Sequence, residues 1–399
     1  MKHGYAIPAV ILSGVLFASG NAHGVDYSVK PVLTSRIEGD TNRRLFSDGG
    51  EDVGAAILEY EARIKAQAPR YTWAAKPKVR AQQFSNAQNP DREELILDVN
   101  AQHQLPRIAL YASGNVERRS AIDSELTQTG FQFNNLNRDQ VSIGPGINYQ
   151  YSPRVSLAAN GFWQDVNFEE NDNGLLDFSY WSGSIGGEYQ LDPVTKLNSR
   201  LTFSRFTSPS TNGATDTYTA WMGWSGAFSR TLDAELQLGV TYSDLAFDTL
   251  TVVQIPGLGQ VLQTAPETKQ EVGYVVDAAF TKQLRYTMAK LAYRRSLSPS
   301  GRGAQSISDE YEVTVSRELT PKVDGRFRFR FIEQNAEAQD IAILDLEYID
   351  WDLTLLWRIS RRLTVGTRYN FSRRVFLNGT ATSHRVGFQV NYEFNELRF

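Results

Sequence analysis

The residues most able to do chemistry stand at alternate positions. In Lys322–Phe331 (KVDGRFRFRF), Asp324, Arg326, Arg328 and Arg330 alternate with Val323, Phe327, Phe329 and Phe331. Nearby segments add Lys290, Arg294, Glu310, Glu312, Asp350, Asp352, Arg358, Arg368 and Asn370 at the same spacing. In an extended chain every second side chain lies on one face, so these charges would share one wall. Guanidinium groups bind carboxylates and phosphates well, and rings of charge set selectivity in pores. The same arginines could instead pair with carboxylates on adjacent strands and stiffen the wall.

Catalysis has little material. The chain has four histidines and no cysteine. His3 and His23 lie in or beside an N-terminal apolar segment, leaving His103 and His384. A nucleophile and its base must come within hydrogen-bond reach, yet Ser383 and His384 are strand neighbours and point to opposite faces. No Gly-rich phosphate loop, metal-ligand cluster or cofactor motif is visible. The expectation is no enzymatic activity, no metal and no cofactor. Charged residues make up 22% and the net charge is −4, which argues against disorder or a nucleic-acid partner.

The elements that carry these residues follow from the same periodicity. Alternation recurs at 141–151, 197–203, 218–228, 311–315, 351–357, 363–371 and 386–394. Tight turns punctuate the pattern at Pro69, Pro106, Pro153, Pro193 and Pro321, where a residue without an N–H costs no ladder bond. Three more turns fall at 229–231, 283–285 and 359–361. Longer polar loops lie near 39–51, 86–93, 119–138, 168–175, 208–216, 249–269, 298–306, 334–341 and 375–382. Eight short turns and nine long loops predict eighteen strands, within a range of 16–20 because alternation is weak near 52–65 and 271–282.

The first residues have the order of a secretory signal: Lys2 and His3, an apolar run over Ala6–Phe17, then small residues around Ala22 and Gly24. A cleaved signal peptide over 1–24 and one barrel domain over 25–399 are expected. No later run is long and apolar enough for a membrane helix. Only helices and closed barrels satisfy the backbone in lipid. A β-sandwich or β-helix would also be rich in strands, but these strands are longer than usual. Aromatics reach 12% and cluster near strand ends, including Tyr180, Trp181, Trp221 and Trp224, as interfacial girdles require. The fold class expected is therefore all-β: a transmembrane antiparallel up-and-down β-barrel of about 18 strands, in outer-membrane lipid.

The last strand resembles that of outer-membrane proteins. Val386, Phe388, Val390, Tyr392 and Phe394 alternate, and the chain ends in Phe399. The resemblance implies recognition by the barrel-assembly machinery. The phase breaks after Asn395, so either Phe394 or Phe399 could be the terminal aromatic.

The opening segment Val25–Leu33 and the loop Glu38-Gly39-Asp40-Thr41-Asn42 resemble β-barrel porins of the porin 2 type and outer-membrane barrels associated with exopolysaccharide loci. The resemblance implies an outer-membrane channel, with exopolysaccharide translocation as the favoured role. An anionic polysaccharide and periplasmic export components would then be its partners. A general or anion-preferring solute porin, and a plugged structural or adhesive barrel, remain alternatives. The 249–269 loop carries Val252, Val253, Ile255, Leu258, Val261 and Leu262. It is either a constriction folded into the lumen or a long hairpin turning at Pro256-Gly257.

Overall fold

The structure, a computed structural model, describes residues 24–47, 49–86, 89, 91–121, 136–169, 175–209, 213–255, 259–299, 305–336, 346–376 and 379–399. For 247–255, 259–266, 299, 305, 335–336, 346 and 376 only the backbone is described. The signal-peptide expectation falls, Gly24 apart, outside these residues.

The strands run in chain order: β1 (Asp26–Asp40), β2 (Val53–Ala68), β3 (Tyr71–Phe84), β4 (Arg92–Gln104), β5 (Ile108–Ser120), β6 (Asn137–Ser152), β7 (Val155–Phe168), β8 (Phe178–Asp192) and β9 (Thr195–Ser208). They continue with β10 (Gly213–Ser229), β11 (Leu232–Ile255), β12 (Gly259–Gln283), β13 (Thr287–Pro299), β14 (Gln305–Thr320), β15 (Val323–Ala336), β16 (Leu346–Arg358), β17 (Leu363–Phe376), β18 (Gly379–Glu393) and the two-residue β19 (Leu397–Arg398). Each strand pairs antiparallel with the next, and β1 pairs with both β2 and β18. The sheet is a closed up-and-down barrel of eighteen strands, β19 being a continuation of the last. All eight short turns fall where the sequence places them.

Closure explains the broken phase of the C-terminal tail. Glu393 stands opposite Val32, the Phe394 N–H donates to the Pro31 carbonyl at 3.0 Å, and Leu397 stands opposite Val29. Three steps on the last strand therefore match two on β1. This one-residue bulge returns Leu397 and Phe399 to the exposed outer face occupied by Phe394. The Phe399 N–H donates to the Tyr27 carbonyl at 3.0 Å, so pairing extends to the end of the chain.

The strands have 13 to 25 residues, more than the roughly 9–11 that cross a bilayer. The outer face is apolar and exposed, with Leu157, Ile185, Leu201, Tyr218, Val240 and Val272 in successive strands. Trp351, Tyr369 and Phe371 pack together on this face. Two aromatics expected in the girdles instead face inward. Tyr180 packs on an internal apolar cluster, and Trp221 lies 5.2 Å beneath the Arg200 guanidinium.

Candidate pore lining

The inner face can be traced strand by strand, because paired residues share a side of the sheet. Starting from Asp40 opposite Arg385, the registers carry one face through Asn370, Asp352, Arg328, Thr314 and Lys290. The same face holds Arg294, Glu310, Glu312, Asp324, Arg326, Arg330, Asp350, Arg358 and Arg368. All the charges singled out in the sequence thus lie on one inner wall, β13 to β17.

Most of them are paired. Arg294 reaches Asp277 at 3.3 Å, Arg328 reaches Asp350 at 3.2 Å, Arg358 reaches Asp324 at 3.1 Å and Arg330 reaches Glu310 at 3.9 Å. Arg368 pairs with Asp352. Asp350 also accepts from the Asn370 amide at 2.6 Å and the Ser372 hydroxyl at 3.2 Å. Among the described residues, Lys290, Arg326 and Glu312 form no ion pair; Lys290 and Arg326 are exposed to the interior, and Glu312 accepts from the Thr314 hydroxyl at 3.1 Å.

Arg326 opens onto a cavity of about 630 Å³ against the inner wall near the short-turn rim. Five arginines line it (Arg285, Arg317, Arg326, Arg328 and Arg368) against three carboxylates (Glu318, Asp324 and Asp352). The formal balance is +2. Asp352 pairs with Arg368 and accepts from the Thr354 hydroxyl at 2.9 Å, Arg328 pairs with Asp350, and Arg317 stands on the outer face by its register, so among the inward strand residues of this cavity Arg326 is the cation without an ion pair.

A second charged sector went unnoticed in the sequence. Glu393 contacts Lys30 and Arg63, Arg63 contacts Glu61, Lys78 bridges Glu61 and Glu59, and Arg80 bridges Glu59 and Glu94. This alternating chain climbs the inner wall from β18 through β1, β2 and β3 to β4. Each charge meets its opposite, so the sector braces the wall and offers little net field. Its signal was present: Glu59, Glu61, Arg63 and Lys65 alternate as the arginines of β15 do. The apolar partners Leu58 and Tyr60 are interrupted by Ala62, which weakens the pattern.

The remaining sector, β6 to β11, is mostly hydroxyl, amide and glycine. Its inner residues include Ser142, Asn160, Ser184, Thr202, Thr219 and Thr241. The Tyr111 ring lies over Gly146, where an added Cβ would meet it at 2.3 Å, and its hydroxyl bonds Asn160.

The histidines stand apart from this wall. The Ser383 hydroxyl donates inward to Asp40 at 2.6 Å, whereas His384 Nδ1 lies 2.8 Å from the outward Tyr369 hydroxyl. The two neighbours point to opposite faces, and no dyad forms. His103, half-buried, sits near the short-turn end of β4.

The 249–269 region is a paired hairpin. Its register runs unbroken from Leu245↔Lys269 to Ile255↔Gly259, with Pro256-Gly257 outside the described residues. At the loop-side mouth, other segments enter the lumen. Leu45, between β1 and β2, packs on the inward Ile332, Tyr348 and Ala381. Ala121, Leu136 and Leu175, from other long loops, pack on Val166, Phe168, Phe178 and Phe206.

A closed antiparallel barrel with an apolar exterior, a polar interior and short turns on one rim has the architecture of a bacterial outer-membrane porin. Solved structures resemble the chain. OccK5 (OpdH) of Pseudomonas aeruginosa superposes with a TM-score of 0.50 at 9% identity, covering 93% of this chain and 99% of that one. OccK11 (OpdR) of the same organism gives 0.48 at 12% identity, over 93% and 96%. OccAB1 of Acinetobacter baumannii gives 0.46 at 8% identity, over 92% and 97%. At these identities the likeness concerns the fold. No protein-family model matches the chain, and no curated protein does. The protein is an outer-membrane β-barrel with a porin fold.

Proposed function

We propose that the chain forms a passive solute pore that prefers anions. The observation that carries this reading is the excess positive charge on the inner face of β13–β17: eight cations (Lys290, Arg294, Arg326, Arg328, Arg330, Arg358, Arg368 and Arg374) against six carboxylates (Glu310, Glu312, Glu318, Asp324, Asp350 and Asp352), with Lys290 and Arg326 forming no ion pair among the described residues. The β6–β11 wall is mostly uncharged, with Asp233 and Glu235 facing inward near the short-turn end of β11. Pairing of Arg328, Arg330 and Arg368 stiffens the wall, and paired guanidiniums still hold donors for a passing anion. The residues proposed to line the passage are Lys290, Arg294, Glu310, Glu312, Arg326, Arg328, Arg330, Asp350, Asp352 and Arg368. Val386, Phe388, Val390, Tyr392, Phe394 and Phe399 are proposed as the assembly signal.

Exopolysaccharide export, the role first expected, rests on the opening-strand resemblance alone. The fold likeness is to solute porins, and a mouth narrowed by Leu45 and Leu136 suits small solutes better than a polymer. The test is the reversal potential of the purified barrel in a planar bilayer under a salt gradient. An anion-selective potential is expected, and a cation-selective one would refute the reading.

A further inference from the structure

The segment Thr41–Ser47 leaves β1 and turns into the lumen. Leu45 is 1% exposed and is buried against Ile332 of β15, Tyr348 of β16 and Ala381 of β18. On the other side of β1, the Arg43 guanidinium stacks 4.6 Å above the ring of Phe84 at the end of β3. One short segment thus spans the inner wall from β15 through β18 and β1 to β3, seven of the eighteen strands.

The segment is built to hold that shape. The Asn42 carboxamide accepts from the Phe46 N–H at 3.0 Å and donates to the Phe46 carbonyl at 2.9 Å. The Leu45 N–H donates to the Asn42 carbonyl at 3.1 Å. The Asn42 N–H donates to Asp40 at 2.9 Å, and Asp40 is fixed in turn by Ser383 and by Arg385 at 2.8 Å. Leu45 adopts φ of +53°, a left-handed conformation that a branched side chain takes only when its surroundings over-determine it. Here the surroundings are the bonds of Asn42 and the apolar pocket on the wall.

We infer that Thr41–Ser47 is the constriction element of the barrel, a fixed strap inside the mouth that sets the size limit of the pore. The inference rests on the pore reading. It assigns size selection to this strap and charge selection to Lys290 and Arg326 on another part of the wall. The hairpin of β11 and β12, the element whose apolar sequence suggested a constriction, keeps its two strands paired to Ile255↔Gly259.

The experiment compares the intact barrel with two variants: replacement of Arg43–Ser47 by two glycines, and Leu45→Asp, which keeps the chain length and expels the anchor from its apolar pocket. Single-channel conductance and the exclusion limit for polyethylene glycols of graded size are measured, with heat-modifiable gel mobility confirming a folded barrel. Removing a strap from a barrel this wide should raise conductance about two-fold or more and admit larger polymers. Unchanged conductance and exclusion limit in a folded variant would overturn the inference and leave the anion-pore reading intact. A cation-selective intact channel whose size limit still rises on deletion would support the strap and refute the anion preference. A silent intact protein that conducts after deletion would support the strap and refute the open pore. Silence in all forms would overturn both.

Discussion

Neutralising Lys290 and Arg326 together (Lys290→Gln, Arg326→Gln) removes two inner-wall cations of β13 and β15 that form no ion pair among the described residues. For an ion passing about 7 Å from such a charge, the interaction in water is about 0.6 kcal/mol. Screening at physiological ionic strength reduces it to about 0.25 kcal/mol. Each charge then enriches anions about 1.5-fold and depletes cations equally, so two charges change the permeability ratio about five-fold. At 0.01 M salt the Debye length is about 30 Å, and the same estimate gives a change of about twenty-fold. The reversal potential of the double variant, measured under salt gradients at both ionic strengths, should move toward the cation side by these ratios. An unchanged potential, or a shift no greater at low salt, would show that the permeating ions do not pass this wall.

Further outcomes follow from other parts of the barrel. Replacing Phe394 and Phe399 with Ala should reduce the membrane-inserted, heat-modifiable fraction; undiminished insertion would refute their role in assembly. Ile185→Arg places a charge on an outer-face residue that is 62% exposed, at a cost of about 2–4 kcal/mol if it lies near the bilayer midplane. Ser184→Arg, on the inner face, should cost much less; urea titration in vesicles separates them, and equal costs would contradict the assignment of faces. Removing residues 250–264 should leave a folded barrel of unchanged conductance, because the pairs below Asp248↔Pro266 remain intact. A more conductive channel would place the hairpin tip in the lumen.

Much of the fold was legible because alternation is a local property. A pleated strand sends neighbouring side chains to opposite faces, so Arg326, Arg328 and Arg330 had to share one face and Phe327, Phe329 and Phe331 the other. Proline and short polar turns marked one rim, which gave the strand number. The weakly alternating β2 and β12 were still found by counting turns. Tyr180 and Trp221 were misread because an aromatic near a strand end carries no sign of which face it takes until the register is known.

The sequence by itself determined the period, the turns and therefore the barrel, together with the set of charges able to share a wall. Only the tertiary structure decided which charges neutralise each other and which stay free. Glu393 meets Lys30 and Ser383 meets Asp40 because closure of the sheet brings β18 beside β1. The C-terminal bulge, which restores Phe399 to the outer face, exists only against β1 as a template. Leu45 finds Ile332 across the lumen mouth by the same closure. These contacts join residues hundreds of positions apart, so the periodicity of neither partner could announce them.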